Sequence, residues 1–398
     1  MARLALFTNK MQAGGIQRAL ASLAREFVAR GHEVTLLLSS ARGEMLRELP
    51  PEVRVRELAA PWPLAVKPLR ALPGGARKLA PVWLATLQPR AIRSLAPLAS
   101  YLRDEQPDAL LATPMTCALV ALWAAHRSGS SARVVTREAN TLSHQLAERW
   151  LPFGAQLPAL AREWYPRAAG IAAVSDGVAD DLAQLAALPR ERIVTIHNPL
   201  GVARLHARAA ESPPEPWLAD ASAPPVILGV GRLTAAKDFI TLIRAFARLR
   251  AQREARLVIL GDGPQRLRLA LEARRLGVAR DVKLAGYAPN PFAYMARARV
   301  FALSSRYEGM PNVLREALAC GANVVATDCP SGSAEALQQG ALGRLVRVGD
   351  ADAMARALLA ALEDPRDEAL IAARVASVSH GDGAERYLEL LLGARRNS

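Results

Sequence analysis

A chain of 398 residues, 51% hydrophobic and 22% charged, is long enough for two ordinary globular cores and too apolar for a disordered polymer. Its formal charge of +14 favours anionic partners, and no uninterrupted apolar stretch approaches the ~20 residues of a membrane span. The three cysteines, Cys117, Cys320 and Cys329, lack CxxC spacing. They argue against a disulfide framework or a zinc site and read as buried small hydrophobes in a reducing cytoplasm.

In chain order, Leu4–Phe7 reads as a first strand rather than a secretory leader. A loop with Gly14-Gly15 follows, then a helical pattern from about Ile16 to Ala29, a stop at Gly31 and a second strand at Val34–Leu38. Apolar runs recur at 109–111, 134–136, 171–174 and 193–196, with helical segments between several of them. Such alternation predicts a parallel sheet covered on both faces. Residues 210–225 contain five prolines and read as a linker. Strand and helix patterns then alternate again from Val226 to the helix beginning near Asp352. The expected fold class is therefore α/β, with two facing, doubly wound, Rossmann-like domains and a ligand cleft between the carboxyl ends of their strands. The expected boundaries are 1–205, a linker at 206–225, and a second domain at 226–380.

The basic excess is spread over both halves. Residues 1–200 hold 24 Lys+Arg against 16 Asp+Glu, a balance of +8; the remaining 27 against 21 give +6. Only five basic residues are lysine, so a lysine at a glycine-rich strand end invites a functional reading. One lies in Gly229-Val-Gly231-Arg232-Leu-Thr-Ala-Ala-Lys237-Asp238, where Arg232 and Lys237 precede a helix. Two cations there suit a diphosphate without a metal, although a solvated loop pair has the same pattern.

A second segment runs from Glu308 through Gly309, Met310, Pro311, Asn312 and Val313 to Glu316. Gly309 permits a tight turn, Pro311 suits the start of a helix, and the backbone N–H groups there suit an anion. Helical rise separates the two carboxylates by about 12 Å at most, beyond the roughly 5–9.5 Å of a two-carboxylate hydrolase. By spacing alone they also read as a loop Glu and a helix-surface Glu. Asp350-Ala-Asp352 reads as a helix cap rather than a metal-binding DxD. The complete GxGxxG, the GxxxxGK[ST] loop and the GxSxG elbow are absent, and the six histidines form no metal-ligand pair. No metal site and no cofactor is expected. A basic stripe interleaved with aromatics is also missing, which argues against nucleic acid.

Taken in order, GGIQR near the start, VSDGVADDL at 174–182, HNP at 197–199, GVGRLTAAKDF at 229–239, LGDGP at 260–264, SSRYEGMPNVLREALACG at 304–321 and VVATDCPSG at 324–332 resemble glycosyltransferase family 4. The likeness is to transferases of bacterial surface-polysaccharide and glycolipid assembly. It implies a GT-B fold, a retaining reaction, and a nucleotide-diphosphate sugar as donor, with uridine the expected base. By this resemblance Arg232 and Lys237 hold the diphosphate, Glu316 the ribose, and Glu308 acts at the donor sugar. Backbone near Gly309–Asn312, Val313 and Gly15 completes the cradle. A histidine common in the family's first domain has no counterpart at Thr113-Pro114-Met115-Thr116. Glu138 is a substitute polar contact to sugar or acceptor, or else a buried cap. The helix near 384–392, within the 381–398 tail, is expected to return to the first domain. The acceptor class implied is a glycan or lipid-linked sugar. Other readings are a GT-B sugar-nucleotide epimerase or phosphorylase, or a non-catalytic binding protein.

Residues 58–103 lack Asp and Glu but hold seven Lys/Arg, with Trp62 and Trp83 among them. The segment 60–105 is expected to touch an anionic membrane surface as a peripheral contact on the cytoplasmic face, or to pack as a solvated connection.

Overall fold

Two sets of short apolar runs form two separate parallel sheets in the computed structural model, which describes residues 1–12, 14–58, 90–148, 156–219, 223–364, 368–379 and 383–393. Each unit is built around one sheet. The first comprises residues up to Pro199 together with the C-terminal helix, and the second begins at Leu200.

In the first unit the strands and principal helices alternate. β1 (Arg3–Thr8), α1 (Gly15–Ala29), β2 (Glu33–Leu38) and β3 (Arg54–Glu57) precede α2 (Leu95–Glu105), β4 (Ala109–Ala112) and α3 (Met115–Ser128). Then come β5 (Arg133–Glu138), α4 (Leu157–Trp164), β6 (Gly170–Ala173), α5 (Asp176–Ala186) and β7 (Ile193–Thr195). All pairings are parallel, in the order β3-β2-β1-β4-β5-β6-β7. The run Leu4–Phe7 and the whole of β4 are buried, as helices on both faces require.

The second unit starts with α6 (Val202–Ala209). It continues through β8 (Val226–Val230), α7 (Phe239–Arg250), β9 (Arg256–Leu260), α8 (Arg266–Arg275), β10 (Val282–Gly286) and α9 (Pro291–Arg297). β11 (Val300–Leu303), α10 (Asn312–Ala319), β12 (Asn323–Thr327), β13 (Arg344–Val346), α11 (Ala351–Glu363) and α12 (Glu368–Ser379) complete it. Its parallel order is β10-β9-β8-β11-β12-β13. One face packs α7 and α11 on the sheet through Leu242, Phe246, Leu249, Met354 and Leu358; the other packs α6, α9 and α10 through Leu205, Tyr294, Leu314 and Leu318. Strand order reverses between β8 and β11, so the chain leaves those two strands toward helices on opposite faces of the sheet, the switch point beside whose carboxyl ends open α/β sheets bind ligands.

Three sequence expectations change. Residues 202–209, assigned to the first domain and the linker, form α6 of the second unit. Leu205 is buried there with Val226 and Leu228, and His206 Nε2 lies 2.9 Å from the Ala319 carbonyl. Proline-rich sequence therefore marks part of a packed strap, not a free linker: Glu215 is buried and pairs with Lys283 at 3.0 Å. Pro97 sits in the first turn of α2, where the N–H that proline lacks has no helical partner. Within the proposed membrane segment 60–105, Leu95, Leu98, Tyr101 and Leu102 are buried in the first unit and unavailable to lipid. Trp62, Lys67, Arg70, Arg77, Lys78 and Trp83 lie outside the described residues.

The chain's last helix, α13 (Gly383–Leu392), packs on the first unit. Ala384, Tyr387, Leu388 and Leu391 join Leu4, Leu6, Leu20 and Phe27 in one buried cluster. Among the described residues no helix is long and apolar enough to cross a membrane.

Candidate active site in the second unit

The loop after β8 runs from Gly231 to Asp238 and is anchored at both ends. Gly261, after β9, sits at φ +130°, and a Cβ there would lie 2.0 Å from the Gly231 carbonyl oxygen. The backbone of the Gly261–Gly263 turn is thereby pressed against that of Gly231–Leu233, with Leu233 N–H donating to the Asp262 carbonyl at 2.9 Å. At the other end Asp238 adopts the left-handed conformation at φ 43°. Its Oδ2 accepts from Thr241 Oγ1 at 2.9 Å and from Arg306 Nε at 3.3 Å.

Arg306 belongs to the loop after β11, and further bonds join the two loops. Arg306 N–H donates to the Ala236 carbonyl at 2.8 Å, and Ser304 Oγ donates to the Lys237 carbonyl at 2.8 Å. Thr327, at the end of β12, donates to the Ser305 carbonyl at 2.6 Å. Three strand ends are thus tied into one rim.

Lys237 and Glu308 meet on that rim. The Lys237 ammonium donates to Glu308 Oε1, and Ser305 Oγ donates to the same oxygen at 2.6 Å. The Lys237 and Glu308 side chains are 20% and 12% exposed, so the pair is shielded yet reachable by a ligand. Such partial burial strengthens a charge pair relative to open water. Arg232 is exposed on the same loop, and its side chain makes no hydrogen bond or ion pair among the described residues. Its guanidinium is therefore available to an anion.

Gly309 and Met310 are buried beneath the turn at Ser331-Gly332, where Ser331 Oγ donates to the Gly309 carbonyl at 2.9 Å. Gly332 has φ +84°, and a Cβ there would lie 2.3 Å from that carbonyl oxygen. Pro311 caps α10, with Asn312 and Val313 half-buried in its first turn. Glu316 is buried, not on the helix surface, and Arg315 beside it is buried as well. Burial pushes the Arg315 guanidinium down to about 10, against the pull of Glu316 and Glu335.

The structure thus brings Arg232, Lys237, Glu308, Gly309, Met310, Asn312, Val313 and Glu316 onto two neighbouring strand-end loops and the helix that follows. Gly15 and Glu138 belong to the other unit. Gly15 opens α1, whose first turn has neither an acidic residue nor a side-chain cap. Glu138, at the end of β5, is buried and accepts a hydrogen bond from the buried Tyr165 hydroxyl. Of its two expected roles, the internal one fits this placement: neither partner faces solvent. Asp350 caps α11 by accepting from Ala353 N–H at 2.8 Å, and Asp352 pairs with Arg248 at 2.7 Å.

Sequence reading did not single out Ser305. Its signal was a hydroxyl three residues before Glu308 at the end of an apolar strand, a spacing that lets the loop fold back on itself.

Comparison with known proteins finds a glycosyltransferase family in each unit. Residues 13–204 match the family described as Glycosyltransferase Family 4, and residues 224–364 match Glycosyl transferases group 1. The N-acetylgalactosamine-N,N'-diacetylbacillosaminyl-diphospho-undecaprenol 4-alpha-N-acetylgalactosaminyltransferase of Campylobacter jejuni is 35% identical over 202 residues, covering 51% of this chain. The chain spans about half the length of that relative, 53%. The 2-deoxystreptamine N-acetyl-D-glucosaminyltransferase of Streptomyces fradiae is 27% identical over 94% of this chain and 90% of its own. Among solved structures, Anabaena Alr3699/HepE in complex with UDP-glucose superposes with a TM-score of 0.72 at 19% identity, covering 98% of this chain and 96% of that one. With one family matched in each unit and a fold shared along nearly the whole length, the chain belongs to the family 4 and group 1 glycosyltransferases of GT-B fold.

Proposed function

We propose that the chain is a retaining, metal-independent transferase. It moves a hexosyl or N-acetylhexosaminyl unit from a UDP-sugar to a glycan or lipid-linked acceptor in cell-envelope polysaccharide or glycolipid synthesis. The observation that carries this reading is the Lys237–Glu308–Ser305 contact beside the available Arg232. UDP and UDP-glucose in the HepE structures support the donor class, and the undecaprenol-linked substrate named for the Campylobacter relative supports the acceptor class.

Without ligand, Lys237 and Glu308 neutralise each other. A donor diphosphate offers Lys237 a second anion, and Arg232 joins it there. Glu308 then keeps its hydrogen bond from Ser305 and faces the sugar with its charge less compensated. As the glycosidic bond to the diphosphate breaks, negative charge grows on the leaving group and positive charge on the anomeric carbon. Cations on the first and a carboxylate by the second stabilise charge that the ground state lacks, which is the part of binding that accelerates chemistry. Glu316 binds the ribose, a contact made equally before and during reaction, while the N–H groups at the start of α10 add to the donors on the phosphates.

The test is transfer from a panel of nucleotide-sugars to lipid-linked acceptors, with and without EDTA, followed by NMR of the new linkage. Retention of the anomeric configuration and EDTA-insensitive turnover are expected; an inverted product or a strict metal requirement overturns the reading.

A further inference from the structure

The second unit has a second feature, on the outer face of α8. Among the described residues, Leu267 is 72% exposed, more than any other large hydrophobic side chain except Met1 at 95%, and Leu271 is 53% exposed. They sit one turn apart on the same helix. At about 100° per residue, the two leucines lie about 40° apart around the helix axis. Arg274 falls about 20° to one side of Leu267, and Arg275 and Arg268 fall about 40–60° beyond Leu271 on the other. All three arginines are exposed. Leu269 and Ala273, on the opposite side, are buried against the sheet and fix which face points outward.

Packing inside the unit does not account for this face. Arg275 pairs with Glu272 at 2.9 Å, but Arg268 and Arg274 carry no ion pair among the described residues. Glu272, the helix's one acid, also takes Arg244 at 2.7 Å and is 11% exposed, so it compensates Arg275 and leaves Arg268 and Arg274 as the unpaired outward charge. Arg266 donates to the Leu284 carbonyl at 2.8 Å and ties the start of α8 to β10, after which Tyr287 stands 51% exposed.

We propose that α8 docks on an anionic lipid bilayer, with Leu267 and Leu271 inserted at the acyl boundary and Arg268, Arg274 and Arg275 against lipid phosphates. An apolar ridge flanked by arginines is the pattern of an interfacial helix. Arginine stems lie along apolar surface while their heads reach the headgroups. A protein partner matching only the leucines would leave Arg268 and Arg274 to desolvate unpaired; an anionic bilayer answers both halves. Helix α8 is no part of the segment at 60–105, and the proposal does not depend on the reaction proposed above, because its readout is binding.

Flotation of the full chain with phosphatidylcholine vesicles, with and without phosphatidylglycerol, tests it. Binding should require phosphatidylglycerol and fall in high salt. Leu267→Ser/Leu271→Ser and Arg268→Glu/Arg274→Glu should each weaken partition on the order of tenfold or more. All four positions are exposed, so thermal melts and UDP binding should match the parent. Indifference of the parent to phosphatidylglycerol, or unchanged partition of the leucine variant, overturns the proposal. So does binding that Trp62→Ser/Trp83→Ser alone abolishes. A parent dimer in sedimentation that the leucine variant dissolves assigns the face to a second copy instead, and also overturns it.

Discussion

Glu308 receives two donors of different fate. The Lys237 ammonium has a competing anion once a diphosphate binds, whereas Ser305 is fully buried and held by the Thr327 bond to its own carbonyl. The two donors should therefore separate in kinetics. Glu308→Gln keeps shape and removes charge, and kcat should fall at least about a hundredfold with donor KM little changed. Lys237→Ala should weaken UDP binding about tenfold or more in calorimetry, the size of a charge-assisted contact. Ser305→Ala should lower kcat with unchanged UDP affinity; equal loss in both would make Ser305 a structural residue. Glu138 gives a second prediction, set by burial. Desolvation raises its carboxyl to about 7, against the opposing pull of the Tyr165 hydroxyl and Arg137. Between its unfolded value near 4.5 and about 7, the folded chain holds a proton that the unfolded chain lacks, so stability falls as pH rises through that window. A shift of that size is on the order of 3 kcal/mol. Glu138→Gln should flatten the dependence, and parallel melting profiles for parent and variant from pH 5 to 8 would refute it.

The elements show what patterning conveys and what it leaves out. Strands buried on both faces were legible because parallel sheets demand continuous apolar runs, as at Leu4–Phe7 and Val226–Leu228. β3 was not, since Arg54, Val55, Arg56 and Glu57 are all exposed on an edge and leave no periodic trace. α6 was hidden by the prolines that follow it; only the tertiary contacts of Leu205 and His206 assign it. In the site, residue types and spacing pointed to Arg232, Lys237 and Glu308. That Lys237 reaches Glu308 across two loops is a long-range fact no local pattern holds. The loop contact itself makes a testable claim. Gly261→Ala puts a Cβ onto the Gly231 carbonyl oxygen, whereas Gly277→Ala, at φ +74°, meets nothing within 4 Å. Both incur left-handed strain of about 1–2 kcal/mol, but only Gly261→Ala displaces the strand-end loop that carries Arg232. Gly261→Ala should lose UDP affinity and Gly277→Ala should not; equal affinities would mean the glycine turn does not shape the site.

At the scale of the whole molecule, the chain crosses back to where it began. The polypeptide leaves the first unit at Pro199, builds the second, and returns as α13 to complete the first core. The return is specific as well as apolar. Gly170 leaves room for Leu390, whose side chain would lie 2.6 Å from a Cβ there, and Arg133 Nε donates to the Leu391 carbonyl at 2.9 Å. Arg137 is fully buried, its Nε donating to the Tyr387 hydroxyl at 3.1 Å and its Nη2 to Asn198 Oδ1. A buried guanidinium that loses one acceptor keeps its desolvation penalty without compensation, about 1–3 kcal/mol. Tyr387→Phe should therefore destabilise the first unit by that amount while leaving the second unit's UDP affinity unchanged. Removing α13 altogether uncovers part of the buried cluster on α1, β4 and β5 and discards Tyr387, Leu388 and Leu391, each buried side chain worth about 1.5–3 kcal/mol. The sum approaches the full stability of an ordinary domain. Residues 1–199 alone should then be aggregated or molten by near-UV circular dichroism and should recover fixed packing when residues 383–393 are joined through a flexible linker. A cooperative melt of residues 1–199 at the parent's temperature would show that α13 only covers the first core and does not complete it.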